Sequence, residues 1–204
     1  MRLLSYGPRA VLVEFDTLSE VMSAAARWRR EAWPEVVDVV PAARTVLVVH
    51  DGSFDPHLLT VSIPGPNAEP NGVESEQRGP LVEVPVRYDG PDLLEVASSI
   101  GRSVAEVVAV HSAPIYTVAF CGFMPGFSYL VGLEAALHLP RRPTPRQRVP
   151  AGSVAIAGEY TGTYPRESPG GWHLLGTTEL AMWRDDRVPP ATLPPGARVR
   201  FVPR

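Results

Sequence analysis

The sequence contains no lysine; all 19 of its basic residues are arginine. That absence excludes a P-loop lysine, a lysine Schiff base and a biotinyl- or pyridoxal-lysine. Cys121 is the only cysteine, which rules out an intrachain disulfide and a cysteine-rich metal site. No apolar run approaches the roughly 18 residues of a membrane span. The first residues, Met1-Arg2-Leu3-Leu4-Ser5-Tyr6-Gly7, lack the apolar core of a signal peptide. A cytoplasmic protein with no membrane partner is therefore expected. Net charge is −3 over 204 residues, which does not suit a general nucleic-acid binder. The nucleophile elbow Gly-x-Ser-x-Gly is missing. None of His50, His57, His111, His138 and His173 forms a pair with zinc-type spacing, so no metal site is expected.

Proline is abundant, at 23 residues, well above the ordinary share of about 5%. It favours strands, turns and loops over long helices. Ala10 to Phe15 alternates as a strand, and Ser19 is a candidate cap for a helix through Arg30 with Val21, Ala24, Ala25 and Trp28 on one face. Val36–Val40 and Thr45–Val49 read as a hairpin around Pro41-Ala42-Ala43-Arg44, and Pro56 marks a helix start. Residues 1–63 thus form a small α+β domain, and the Pro- and Gly-rich residues 64–80 a linker. The chain restarts with the strand Leu81–Val86. Pro91 opens a helix with Asp92 and Glu95 near its positive end, and Ser103-Val104-Ala105-Glu106 is a capping box. From Ile115 onward, short β runs broken by Gly and Pro predict a closed or strongly bent sheet over 81–204.

Three stretches could carry chemistry. In Cys121-Gly122-Phe123-Met124-Pro125-Gly126-Phe127-Ser128-Tyr129-Leu130, glycines permit close backbone approach and aromatics could wall a pocket; the same residues would also make a wide turn that fills the core. In Leu139 to Pro150, Arg141, Arg142, Arg146 and Arg148 lie among four prolines. Guanidinium forks match carboxylate or phosphate oxygens, while the alternative is a solvated basic edge. In Ser168-Pro169-Gly170-Gly171-Trp172, the glycine pair could form an anion nest or a plain turn. Cys121 reads as a small buried hydrophobe. Asp185-Asp186, between Arg184 and Arg187, reads as a solvated hairpin tip.

In order along the chain, Gly122–Leu130, Pro140-Arg141-Arg142 with Pro145-Arg146, Val149-Pro150-Ala151-Gly152-Ser153-Val154-Ala155-Ile156-Ala157-Gly158, Thr163-Tyr164-Pro165 and Ser168-Pro169-Gly170-Gly171-Trp172 resemble the family of B-type 5-oxoprolinase subunits. That family is also called allophanate hydrolase subunit 1 and is related to the kinase inhibitor KipI. Tyr88-Asp89-Gly90-Pro91-Asp92-Leu93, His111, Tyr116 and the closing Pro195–Phe201 fit the same pattern. Two positions depart from it: Thr177 stands where an arginine is usual, and Tyr160 where a glutamine is usual.

The resemblance implies an α+β fold, with a small α+β domain followed by a cyclophilin-like β-barrel. It implies half of a composite site in an ATP-dependent complex that opens 5-oxoproline to glutamate. The partner would be a C-type 5-oxoprolinase subunit, equivalent to allophanate hydrolase subunit 2, with a third ring-opening subunit, and the magnesium ligands would come from the partner. Under this resemblance Arg142 and Arg146 are the expected catalytic residues. The expected substrate or nucleotide contacts are His111, Tyr116, Phe123, Pro125, Gly126, Phe127, Tyr129, Arg141, Arg148, Gly152, Ser153, Pro169, Gly170, Gly171 and Trp172. Other functions compatible with the resemblance are an allophanate- or urea-type hydrolase or carboxyltransferase subunit, and a KipI-like inhibitor that docks on a histidine kinase. A prolyl isomerase on the same fold is a further alternative.

Overall fold

The computed structural model describes residues 1–61 and 81–204. These form two compact units, one on each side of the intervening segment. The linker expected over 64–80 lies outside the described residues.

The first unit is a four-stranded antiparallel sheet with two helices. Its strands are β1 (Arg2–Ser5), β2 (Ala10–Glu14), β3 (Val36–Pro41) and β4 (Thr45–His50), in the order β1-β2-β4-β3. Helix α1 (Leu18–Glu31) packs on β3 and β4, and a short α2 (His57–Val61) follows β4. Strand alternation turns Val11, Val13, Val46 and Val48 to one face, where they meet Val21, Ala24, Ala25 and Trp28 of α1. That helical spacing is one stripe of a 3.6-residue period. The α1 cap is Thr17, not Ser19. The Thr17 hydroxyl accepts from Glu20 N–H and the Glu20 carboxylate accepts from Thr17 N–H, a reciprocal pair that starts the helix earlier than the sequence pattern predicts.

The second unit is a barrel of seven strands with a smaller sheet on its flank. After β5 (Leu81–Val86) come α3 (Leu93–Ser99) and α4 (Val104–Ser112), the latter capped by Ser103 and Glu106 as the sequence predicts. Then follow β6 (Tyr116–Cys121), β7 (Ser128–Val131), β8 (Arg146–Val149), β9 (Ser153–Ala157), β10 (Tyr160–Thr163), β11 (Ser168–Gly170), β12 (His173–Thr177) and β13 (Arg198–Pro203). The large sheet runs β12-β9-β10-β7-β6-β13-β5, with one parallel pair, β13 beside β5. Its two edges meet where Arg87, just past β5, bridges Thr177 of β12 through N–H···O bonds of 2.9 and 2.8 Å. Closure of this kind removes exposed edges. The expected α+β architecture ending in a β-barrel is what the fold shows.

The barrel interior holds Val84, Val86, Val118, Leu130, Val154, Ile156, Leu175 and Phe201. The two-stranded β8–β11 sheet stands apart from the barrel ladder. Its Val149 packs with Ala155, Ala157, Phe127, Tyr164, Trp172 and Leu174 in a second, largely aromatic cluster. On β9 the residues alternate between the two cores, Val154 and Ile156 inward and Ala155 and Ala157 toward the aromatics.

The seam depends on Gly176. A β-carbon there would lie 2.4 Å from the Arg87 carbonyl oxygen and 3.0 Å from Tyr88 Cα. The obstructing atoms are backbone, so the seam itself must move. Gly176→Ala is expected to cost about 3 kcal/mol, at the upper end for overpacking. The check is a urea titration; a midpoint equal to that of the unmodified chain would show that the seam does not need the close approach.

Candidate functional site

The aromatic cluster and the arginine stretch meet on one flank of the barrel. The β6–β7 loop turns sharply at Phe123 (φ 68°) and Gly126 (φ 82°). Gly126 is seated against Trp183 Cβ, 2.9 Å from where its own β-carbon would be. Phe123 is a bulky residue in the left-handed region, where few non-glycine residues sit. Its ring is 59% exposed and stands edge-on to Phe127 (centroids 5.5 Å apart) and Tyr164 (6.4 Å). Phe127 in turn contacts Tyr129, Tyr164 and Trp172 at 5.1 to 5.3 Å, all edge to face. Phe127 and Trp172 are buried, Tyr129 is half-buried, and Pro125 is exposed at the rim. Both roles open to this loop hold in part: Phe127 and Trp172 fill a core, while Phe123 and Tyr129 reach the surface.

The sequence predicts four arginines presenting positive charge together, and the structure corrects this. Arg146 donates from both terminal nitrogens to the Asp92 carboxylate, at 2.9 and 2.6 Å. Arg142 Nη1 bridges Asp92 (2.8 Å) and Glu95 (2.9 Å). Asp92 is 1% exposed and also accepts from Leu174 N–H at 2.8 Å. Burial alone would raise its carboxyl group. The Arg146 hydrogen bonds, the Leu174 N–H and the two guanidinium charges outweigh that and hold it below its ordinary value. Removing one side of such a buried pair strands a charge, at a cost of about 3–5 kcal/mol. Arg148 pairs with Glu167 at 2.9 and 3.1 Å, in the open. Two carboxylates therefore neutralise Arg142 and Arg146, and a third faces Arg148.

Arg141 differs from the other three. It is exposed and makes no ion pair among the described residues. Burial raises the phenols of Tyr129 and Tyr164, and the positive charge of Arg141 opposes that rise at both. Both phenols stay protonated at neutral pH; Tyr129, half-buried, can donate outward, while Tyr164 is buried in the aromatic cluster. One guanidinium unpaired among the described residues, the half-buried Tyr129 phenol and the exposed edge of Phe123 can take a small anion that carries an apolar ring.

The glycine pair does not form an anion nest. Neither Gly170 nor Gly171 has the positive φ that one half of a nest requires. Gly170 instead pairs with Arg146 in the β8–β11 ladder, and Gly171 accepts from Arg142 N–H at 2.8 Å. A β-carbon on Gly170 would meet the Tyr164 hydroxyl at 2.3 Å, so this glycine makes room for the phenol. Pro169 is exposed on the same strand. Gly152 and Ser153 also have structural work. Gly152 (φ 78°) exchanges backbone bonds with Tyr164 and Thr178 (2.7 and 2.9 Å), and Ser153 Oγ donates to the Pro150 carbonyl.

His111 and Tyr116, expected at the site, lie in the barrel interior with no exposure. The Thr161 hydroxyl spends its proton on the Ala155 carbonyl (3.0 Å), so it accepts from His111 Nε2–H (2.9 Å). Nδ1 then accepts from the Tyr88 hydroxyl at 2.8 Å. The ring stacks on Phe201 at 4.7 Å, and Tyr116 donates to the His111 carbonyl at 2.7 Å. Burial lowers the imidazole from 6.5 to about 3. A neutral histidine satisfied on both nitrogens is a structural polar core and has no path to a ligand. Sequence position alone cannot separate that from a binding histidine.

Asp92 and Tyr164 are the residues that sequence reasoning leaves without a role. A helix dipole accounts for Asp92, and Tyr164 is only one letter of a motif. The available signal is the pair of acids, Asp92 and Glu95, matched in number by Arg142 and Arg146.

The model of the family "carboxyltransferase domain, subdomain C and D" matches residues 1–193. The chain belongs to that family. A curated relative, the B-type 5-oxoprolinase subunit of Escherichia coli O157:H7, is 39% identical over 97% of this chain and 94% of its own length. The solved structure of TTHA0988 aligns with a TM-score of 0.79 at 39% identity, over 96% of this chain. This chain spans about two fifths (40%) of the length of TTHA0988. The urea amidolyase of K. lactis shares the fold, with a TM-score of 0.71 at 20% identity over 99% of this chain and 15% of that one. Among the described residues of this family member, no helix is long and apolar enough to cross a membrane.

Proposed function

We propose that this protein is a subunit of a 5-oxoprolinase complex and contributes half of a composite site in which 5-oxoproline is opened to glutamate with ATP. What carries the reading is its 39% identity to the B-type 5-oxoprolinase subunit of E. coli O157:H7 across 97% of the chain. The site chemistry agrees with it. The substrate is a small carboxylate on a five-membered lactam, and the flank of the barrel offers the Arg141 guanidinium, unpaired among the described residues, the Tyr129 phenol and an aromatic edge. Arg141 takes the carboxylate, Tyr129 donates to the anion, and Phe123 covers the ring.

The residues here do not fit a triphosphate. Three of the four clustered guanidiniums already face carboxylates, and the Gly170-Gly171 pair is not a nest. ATP and its metal ligands are therefore assigned to the partners, of which one is a C-type 5-oxoprolinase subunit and another opens the ring. This chain binds and orients the substrate. A lactam carbonyl is a weak electrophile because of amide resonance, so orientation alone does not open it, and the chain by itself is expected to be inactive.

The test is ATP hydrolysis by this chain alone and assembled with its partner subunits, with and without 5-oxoproline. The expected result is hydrolysis that requires both the partners and 5-oxoproline, with glutamate appearing in step. Assembly without 5-oxoproline-dependent turnover would move the substrate to another amide or a urea derivative. No assembly at all would replace the proposal with a regulatory binding module.

A further inference from the structure

Asp92 stands at the N-cap of α3 but makes no side-chain cap, although aspartate is among the residues best suited to that task. Its carboxylate instead gathers four donors from two other parts of the chain: Arg142 Nη1, Arg146 Nη1 and Nη2, and the Leu174 amide of β12. The arginine stretch needs anchors of this kind. Pro143 and Pro145 have no N–H, so the backbone between Arg142 and Arg146 has lost two of its donors. Arg142 N–H reaches Gly171 at 2.8 Å, and β8 begins only at Arg146. The side chains of Arg142 and Arg146 bracket the proline segment and fasten both of its ends to one buried carboxylate. With Glu95 included, two acids balance two arginines, and Arg141 has no ion pair among the described residues.

We propose that Asp92 is the positioning residue of the arginine segment: it grips Arg142 and Arg146 so that the neighbouring Arg141 is held exposed on the aromatic flank of the barrel. The inference rests on the reading of Arg141 as the ligand of the substrate carboxylate. Asp92 touches no substrate and acts through the segment it holds. The other conspicuous features carry less. The pocket lined by Arg87, Thr177, Glu179 and Arg204 lies at the barrel seam, where Asp89 already engages both Arg87 and Thr177.

The experiment uses Asp92→Asn, which keeps the shape and removes the charge, in the chain assembled with its partner subunits. KM for 5-oxoproline is expected to rise about 10-fold or more while kcat stays within about 3-fold, the pattern of lost ground-state binding. In an Arg141→Ala background the same change is expected to move KM by less than about 2-fold, because the residue being positioned is gone. An equal factor in both backgrounds would indicate a general structural role and overturn the proposal. Arg146→Gln, which leaves Asp92 paired with Arg142, is the second variant if Asp92→Asn does not fold. An unchanged KM in it would also overturn the proposal.

Hydrogen exchange separates this proposal from the reading beneath it. Faster exchange at the Arg141–Val149 amides, with β9 and β10 unchanged, would show that Asp92 holds the segment whatever the segment binds. Unchanged exchange there would defeat the positioning role even if Arg141→Ala abolishes binding. An unchanged KM in Arg141→Ala would defeat only the substrate reading.

Discussion

Arg141→Ala is expected to raise KM for 5-oxoproline in the assembled complex by about 10²-fold, with kcat little changed. A charge-assisted hydrogen bond contributes about 1.5–3 kcal/mol, and each 1.4 kcal/mol is about a factor of ten. The carboxylate of 5-oxoproline does not take part in ring opening, so its contact is the same in ground and transition states and its loss appears in KM. Arg148→Ala is the matched control. Arg148 is exposed like Arg141 and lies in the same stretch, but its charge is spent on Glu167 in solvent, where such pairs contribute roughly 0–1 kcal/mol. Steady-state kinetics on the two variants decide the point. Equal KM values for Arg141→Ala and the unmodified complex would remove Arg141 from the site, and an effect of about 10²-fold at Arg148 would mean that the ion pair opens to admit substrate.

The second large effect is a dependence of stability on pH that comes from inside the barrel. The folded state holds His111 near 3 against an ordinary value of 6.5. A depressed value means that the folded state prefers the neutral ring. The resulting stability is fully present above pH 6.5 and is lost as pH falls from there toward 3, at up to about 1.4 kcal/mol per pH unit. Asp92, also lowered, adds to the loss only at the acid end, below its ordinary 3.8. Between about pH 6 and pH 4.5, therefore, His111 accounts for about one proton taken up on unfolding of the barrel. The measurement is unfolding free energy against pH for the unmodified chain and for His111→Gln, which keeps a hydrogen-bonding side chain but cannot titrate. The slope is expected to fall by about one proton in the variant. Equal slopes would show that the ring is already charged in the folded state, contrary to its bonds from Tyr88 and to Thr161. The variant is also expected to be less stable at neutral pH, because a differently shaped amide leaves Tyr88 or Thr161 unsatisfied, at about 1–3 kcal/mol for each orphaned group.

Local pattern was legible in the first unit. The period of two in Ala10–Glu14 and Thr45–His50, and the spacing of Val21, Ala24, Ala25 and Trp28, depend on residues within one element, and each face formed as its period requires. The misplaced α1 cap has the same local origin. Thr17 and Ser19 are both good caps, and only Thr17 has glutamate three residues on. In the second unit, the turn-rich run from Ile115 indicated a closed or strongly bent sheet, but not that Arg87 and Thr177, 90 residues apart in sequence, are where its edges meet.

The composition of the aromatic loop, the concentration of arginine at 141–148 and, through long ordered motifs, the family were legible without the fold. Which of those arginines lacks an ion pair among the described residues emerged only from contacts across the fold. Arg142 and Arg146 meet Asp92 across 50 and 54 positions, and His111 meets Thr161 across another 50. Periodicity reports which way a side chain points relative to its neighbours along the chain. Whether a charge is neutralised, or an imidazole kept dry and neutral, depends on what the closed barrel brings against it, and that depends on contacts between segments far apart in the sequence.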